Sequence, residues 1–160
     1  MCNDKIKSLD ELQAISGELR KKGRTVVFTN GCFDLIHSGH VQLLSEAQRR
    51  GDCLIVGANT DDSIRRIKGE KRPLLDQGQR GRILASFEAV DYVVFFDGDT
   101  PEEIIAKIRP DILVKGGDYE IKGVVGRQTV WDSGGEVSVV KPVEARSTTA
   151  IIQDILNRFS

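Results

Sequence analysis

Both histidines of this 160-residue chain fall within four consecutive positions, His37-Ser38-Gly39-His40. They follow the apolar run Thr25-Val26-Val27-Phe28-Thr29 and lead into Val41 to Ala47, whose apolar positions recur at helical spacing. A strand that feeds a helix start presents first-turn N–H groups and the positive end of a helix dipole, and both favour an anion. Imidazoles beside that corner add hydrogen-bond donors, so the chemistry expected of the pair is stabilisation of phosphate charge. The plain alternative is that His37 and His40 cap a helix or pack locally. A metal pair is the weaker third reading, because zinc needs further ligands and the chain has no third histidine.

Other segments could serve the same anion. Thr29-Asn30-Gly31-Cys32-Phe33-Asp34 runs from the strand toward the histidines, where Gly31 allows a tight turn and Gly39 allows a phosphate close to the helix start. Lys68, Lys71 and Arg72 lie in a polar loop before Pro73, where cations could close over phosphates; a solvated charged loop is the alternative, favoured for Lys71. Arg80, near a helix start, could reach the same phosphates or lie on a surface. Lys115-Gly116-Gly117-Asp118 follows a strand, so its glycines allow backbone approach and Asp118 could accept hydrogen bonds from a ribose or base. Ser147-Thr148-Thr149 suits either a phosphate or an ordinary helix cap. Asp61-Asp62 reads as first-turn carboxylates, Asp34 as a residue fixing the histidine loop, Cys32 as a small buried thiol and Trp131 as helix packing.

The elements that must position these residues alternate. Ser8-Leu9-Asp10-Glu11 has capping-box form and starts a helix that Gly23 ends. Strands are expected at 25–29, 53–58, 92–96, 112–114 and 137–140, and helices at 40–50, 61–67, 79–89, 101–108, 124–133 and 148–159. Such alternation predicts an α/β fold, a Rossmann-like three-layer sandwich around a five-stranded parallel sheet, with right-handed crossovers. Ligands in such folds bind at the carboxyl ends of strands, which points to the segments after the first, fourth and fifth. The expected organisation is one domain, 1–160, with an N-terminal helix over 1–23 and a core over 24–160; that helix could also support self-association.

At 39% hydrophobic residues the chain can bury a core, and 23 basic against 24 acidic residues argue against a polyanion partner such as nucleic acid. Three cysteines in no CxxC pattern suit a reducing compartment, and no apolar stretch approaches the roughly 20 residues of a membrane span. A soluble, cytoplasmic protein without a membrane partner is expected.

Asn30-Gly31-Cys32-Phe33-Asp34, the pair of histidines and Ser147-Thr148-Thr149 together resemble the cytidylyltransferase-like branch of the HxGH nucleotidyltransferase superfamily. Within it the chain is most similar, from about Arg24 to Asn157, to the D-glycero-β-D-manno-heptose 1-phosphate adenylyltransferase family. The telling segments are Asn59-Thr60-Asp61, Arg66-Ile67-Lys68-Gly69, Arg72-Pro73, Glu88-Ala89-Val90-Asp91, Pro110 through Tyr119, Val130-Trp131 and Gly134-Gly135-Glu136-Val137. The resemblance implies transfer of an adenylyl group from ATP, with Mg²⁺, to a sugar 1-phosphate, giving ADP-heptose and pyrophosphate for surface-glycan synthesis. It implies His37, His40 and Lys68 as catalytic. Nucleotide binding falls to Thr29, Asn30, Gly31, Cys32, Phe33, Gly39, His40, Lys115, Gly117, Asp118, Ser147, Thr148 and Thr149, and acceptor binding to Asp34, Lys68, Arg72 and Arg80; no protein metal ligand is assigned.

The alternative is a cytidylyltransferase acting on a polyol or alcohol phosphate such as glycerol 3-phosphate. Such enzymes carry arginines where this chain has Pro142-Val143-Glu144-Ala145 and Glu88, which favours the heptose branch. Arg146 departs from that branch's small or apolar residue and would either stack on the nucleotide or face solvent. Relatives are often fused to a sugar kinase, so the expected partner is a separate kinase supplying the sugar phosphate, and a homo-oligomer, dimer or tetramer, is expected. A nicotinamide-dependent oxidoreductase would need a GxGxxG turn that 30–40 lacks. A regulatory module would bind ATP without releasing pyrophosphate.

Overall fold

Five apolar runs build the frame: β1 (Val26–Gly31), β2 (Cys53–Asn59), β3 (Tyr92–Phe96), β4 (Ile112–Gly116) and β5 (Glu136–Val140). The structure is a computed structural model and describes residues 2–118, 120–142 and 147–159. All strand pairs are parallel, in the order β3-β2-β1-β4-β5. β1 and β2 are buried along nearly their whole length, and apolar up to their carboxyl ends, because helices cover both faces of a parallel sheet. The chain leaves β1 toward β2 and β3 on one side and later returns to β4 and β5 on the other. The switch therefore falls between β1 and β4, where a crevice opens at the strands' carboxyl edge.

Two cores flank the sheet. On one face Val26, Phe28, Ile55 and Leu113 meet α1 (Leu9–Lys21), α5 (Glu102–Ile108) and α6 (Arg127–Asp132). On the other, Val27, Leu54, Val56 and Val114 meet α2 (Ser38–Gln48) and α4 (Gln77–Ser86). The remaining helices are α3 (Asp61–Lys68) and α7 (Thr148–Phe159). The capping box of α1 forms as its sequence suggests, the Glu11 carboxylate accepting from the Ser8 amide at 2.7 Å. Its apolar face is not available for self-association: Leu12 is fully buried, and Leu9, Ile15 and Leu19 pack on the same core. The helix expected over 124–133 shortens to α6, because Gly126 adopts φ +85° and packs so close to Ile105 that the turn cannot begin earlier. One edge was not legible in sequence: Ile6 bridges to Val93 and covers the outer side of β3.

Candidate active site

The carboxyl edge opens into a cleft of about 530 Å³, a size suited to a small-molecule ligand. Asn30, Gly31, Cys32, Phe33 and Asp34 line it from β1 and the following loop, and His37 and His40 from the start of α2. Lys68, Arg72, Lys115, Ser147, Thr148 and Thr149 complete the sequence-selected residues along its walls.

His37 is the N-cap of α2, and its Nδ1 accepts from the Gly39 amide at 3.2 Å. Nδ1 of His40 accepts from the His37 amide at 3.4 Å. The rings lie 3.9 Å apart at 32°. With both Nδ1 atoms accepting, each neutral ring carries its proton on Nε2, which leaves that N–H as its donor. Capping and phosphate recognition are therefore compatible uses of one geometry. Burial holds both rings in this neutral form: His37 lies below the usual imidazole range, and burial, aided by His37, pushes His40 down to about 4. Phe33, at φ +49°, occupies the left-handed region at a cost of about 1–2 kcal/mol; its ring is buried, 5.2 Å from that of His40.

Asp34 fixes the facing loop. Its carboxylate accepts from the Leu74 and Leu75 amides at 2.9 Å and from Nε of Arg72 at 2.6 Å. Burial alone would raise its pKa, but these donors outweigh burial and hold it below the ordinary carboxylate value. Lys115 reaches the cleft from β4, with Nζ 3.4 Å from the Asn30 carbonyl. Burial pushes its ammonium below the ordinary lysine value, and Lys68 adds to the effect.

Several residues selected from sequence stand elsewhere. Arg80 does not reach the cleft: its buried guanidinium donates to the carbonyls of Cys32 and Leu75 and to Asp61, at 2.7, 3.1 and 2.8 Å. Thr29 is fully buried, two residues before the strand end, and its side chain faces the Val27 side of the core. Gly39 and Gly117 line a smaller neighbouring pocket of about 190 Å³, and the exposed Asp118 lines neither. The hydroxyls at α7 have partners within the fold: Ser147 accepts from the Ala150 amide at 3.1 Å, and Thr148 donates to the Leu35 carbonyl, in the loop before the histidines, at 3.2 Å. Tyr119 and Arg146 lie outside the described residues. Sequence reasoning passed over Asn59, Phe96, Thr100 and Val124, which form the far wall. The signal for Asn59 and Phe96 was their position as the last residues of β2 and β3, on the same edge as Gly31.

The cytidylyltransferase-like family model matches residues 28–154, which include nearly every cleft residue named above. The chain belongs to the cytidylyltransferase-like family. Similar proteins within reach of this family assignment include "bifunctional protein HldE" of Citrifermentans bemidjiense, 53% identical over 157 residues, which are 98% of this chain and 32% of that protein. Its counterpart in Geobacter sulfurreducens is 54% identical over 155 residues, covering 97% of this chain and 32% of the relative. The chain thus spans about a third of the length of these curated relatives. Among solved structures, a lipopolysaccharide core biosynthesis protein from Thermoplasma volcanium superposes with a TM-score of 0.62 at 25% identity, over 78% of this chain and all of that one. Pantoate-β-alanine ligase from Francisella tularensis, at 16% identity, shares the fold with a TM-score of 0.64 over 96% of this chain and 76% of its own.

Proposed function

We propose that this chain is an adenylyltransferase that joins ATP to D-glycero-β-D-manno-heptose 1-phosphate, forming ADP-heptose and pyrophosphate. The observation that carries the reading is that Nδ1 of His37 and of His40 each accepts a backbone amide, so that each neutral ring keeps Nε2–H as its donor, in a cleft that also holds Lys68 and Lys115. Nucleotidyl transfer needs no protein nucleophile. An acceptor phosphate oxygen bonds to the α-phosphorus while the bond to the bridging oxygen breaks, and the electron pair departs with pyrophosphate. Donors placed where that charge develops accelerate the step without transferring a proton. Lys68, on the same cleft, would add cationic charge near the reacting phosphates.

The small pocket beside the histidines, lined by Gly116, Gly117, Val140 and Pro142, suits the nucleoside end, and the larger cleft suits the phosphates and sugar. In this reading magnesium enters with the triphosphate as part of the substrate, and the Asp34 carboxylate stays with Arg72 and the Leu74 amide. Relatives about half identical across nearly the whole chain, and a structural neighbour named for lipopolysaccharide core biosynthesis, favour a sugar acceptor over glycerol 3-phosphate or another polyol phosphate. A sugar kinase activity would supply the acceptor, and the cytoplasm would supply ATP. No helix among the described residues is long and apolar enough to cross a membrane. Ile155 and Phe159 of α7 stand exposed, and a homo-oligomer, dimer or tetramer, would cover them; light scattering measures that mass.

Pyrophosphate release from ATP and the heptose phosphate tests the reading. His37→Ala and His40→Ala are each expected to lower kcat by about 10²–10³-fold with KM for ATP little changed and the circular dichroism spectrum intact. Wild-type rates in both variants would overturn it.

A further inference from the structure

Strand alternation sorts the polar residues of the carboxyl edge onto two sides. Asn30, Asn59 and Lys115 share the parity of Phe28, Ile55 and Leu113, whose face is covered by α1, α5 and α6. His37 and His40 come from α2, which covers the opposite face. Lys115 thus stands across the sheet edge from the histidines, toward the wall formed by Phe96, Thr100 and Val124.

Its charge is also left open. Arg72 closes on Asp34 at 2.6 Å, Arg80 on Asp61 at 2.8 Å, and Lys5 on the carbonyls of Phe87 and Val90 at 3.1 and 2.6 Å. Lys115 is partly buried, as Arg72 and Lys5 are, yet among the described residues no carboxylate lies within 4 Å of it, and its one hydrogen bond is the long one to the Asn30 carbonyl. Lys68, likewise without a carboxylate, lines the same cleft. A half-buried ammonium without a counter-ion is costly unless an anion arrives. In-line displacement at phosphorus requires the attacking group on the side of the α-phosphorus away from the leaving group.

We propose that Lys115, with Lys68, binds the phosphate of the acceptor on the side of the cleft opposite the histidine pair, and so selects acceptors that present a phosphate monoester. This rests on the adenylyltransferase reading. The attacking phosphate oxygen then forms the new P–O bond from the Lys115 side, while pyrophosphate leaves with the bond's electrons toward Nε2 of His37 and His40. Lys115 keeps its charge throughout and transfers no proton.

The test uses the full chain, Lys115→Met, which keeps the apolar stem, and Lys115→Arg. In pyrophosphate release, K115M is expected to raise KM for the heptose phosphate at least tenfold while KM for ATP stays within twofold, with partial recovery in Lys115→Arg. Inorganic phosphate should compete with the acceptor and not with ATP in the wild type, and lose potency by a similar factor in K115M. An unchanged acceptor KM, or a raised KM for ATP instead, would overturn the proposal. Calorimetric titration of inorganic phosphate into protein saturated with α,β-methylene-ATP decides the matter without turnover. At least tenfold weaker binding to K115M supports the proposal, and equal binding overturns it. Absence of pyrophosphate release by the wild type would count against the adenylyltransferase reading, and the titration would still judge the lysine.

Discussion

The two edges of the sheet treat charge in opposite ways. At the amino edge, carboxylates at the strand entrances are closed onto backbone amides: Asp52 accepts from Thr25 at 2.8 Å, Asp91 from Leu54 at 2.7 Å and Asp111 from Val26 at 2.7 Å. At the carboxyl edge, Lys68 and Lys115 have no carboxylate within 4 Å among the described residues, and they share a cleft lined by His37 and His40. Asp91 and Asp111 belong to segments as telling for the family resemblance as the histidines, yet they hold strands in place. What separates a scaffold charge from a site charge here is whether the fold itself supplies the partner.

Arg80 gives the sharpest test of that distinction, because it belongs to the cleft's neighbourhood but to the closed class. Arg80→Met would leave Asp61 and the carbonyls of Cys32 and Leu75 without their buried donor. The expected loss is about 3–5 kcal/mol, a fall in Tm on the order of 10 °C, read by thermal unfolding. Activity at a temperature where the variant is still folded should fall less than in His40→Ala. A variant as stable as wild type but inactive would move Arg80 to the open class.

The histidines carry a smaller effect with a defined sign. Folded His40 binds its proton near pH 4, whereas an unfolded histidine does so near its ordinary 6.5. Between those values the unfolded chain holds more protons, so stability falls as pH drops through that window. The His40 contribution between pH 7 and pH 5 is about 2 kcal/mol. Denaturant unfolding at the two pH values should show that loss in wild type and a smaller one in His40→Ala. An identical loss in both would mean that the imidazole is not held neutral by its site.

How much of this was legible in the sequence follows the same division. Continuous apolar runs such as Val26–Phe28 and Cys53–Val56 announce strands buried on both faces, and the histidines sit at the strand-to-helix corner that their surroundings imply. Partners distant in sequence were not legible. Nothing local to Arg80 reveals that it meets Asp61, 19 residues away, and the Cys32 carbonyl, 48 residues away, so a cation near a phosphate loop reads as a phosphate ligand. The single bridge at Ile6 has no periodicity to detect. The far wall of the cleft escaped because Phe96 and Val124 are apolar residues that only the sheet order brings to the same edge as β1.

The smallest expected effect tests the amino edge. Asp91→Ala removes the acceptor for the Leu54 amide at the entrance of β2, and an unmade hydrogen bond of this kind costs about 1–2 kcal/mol. For a chain of this length that lowers Tm by roughly 2–8 °C. Because Leu54 lies five residues from Asn59 at the far end of the same strand, kcat and both KM values should stay within twofold of wild type. A tenfold loss of activity with only this small loss of stability would mean that strain passes along β2 into the cleft, and the two edges would no longer count as separate devices.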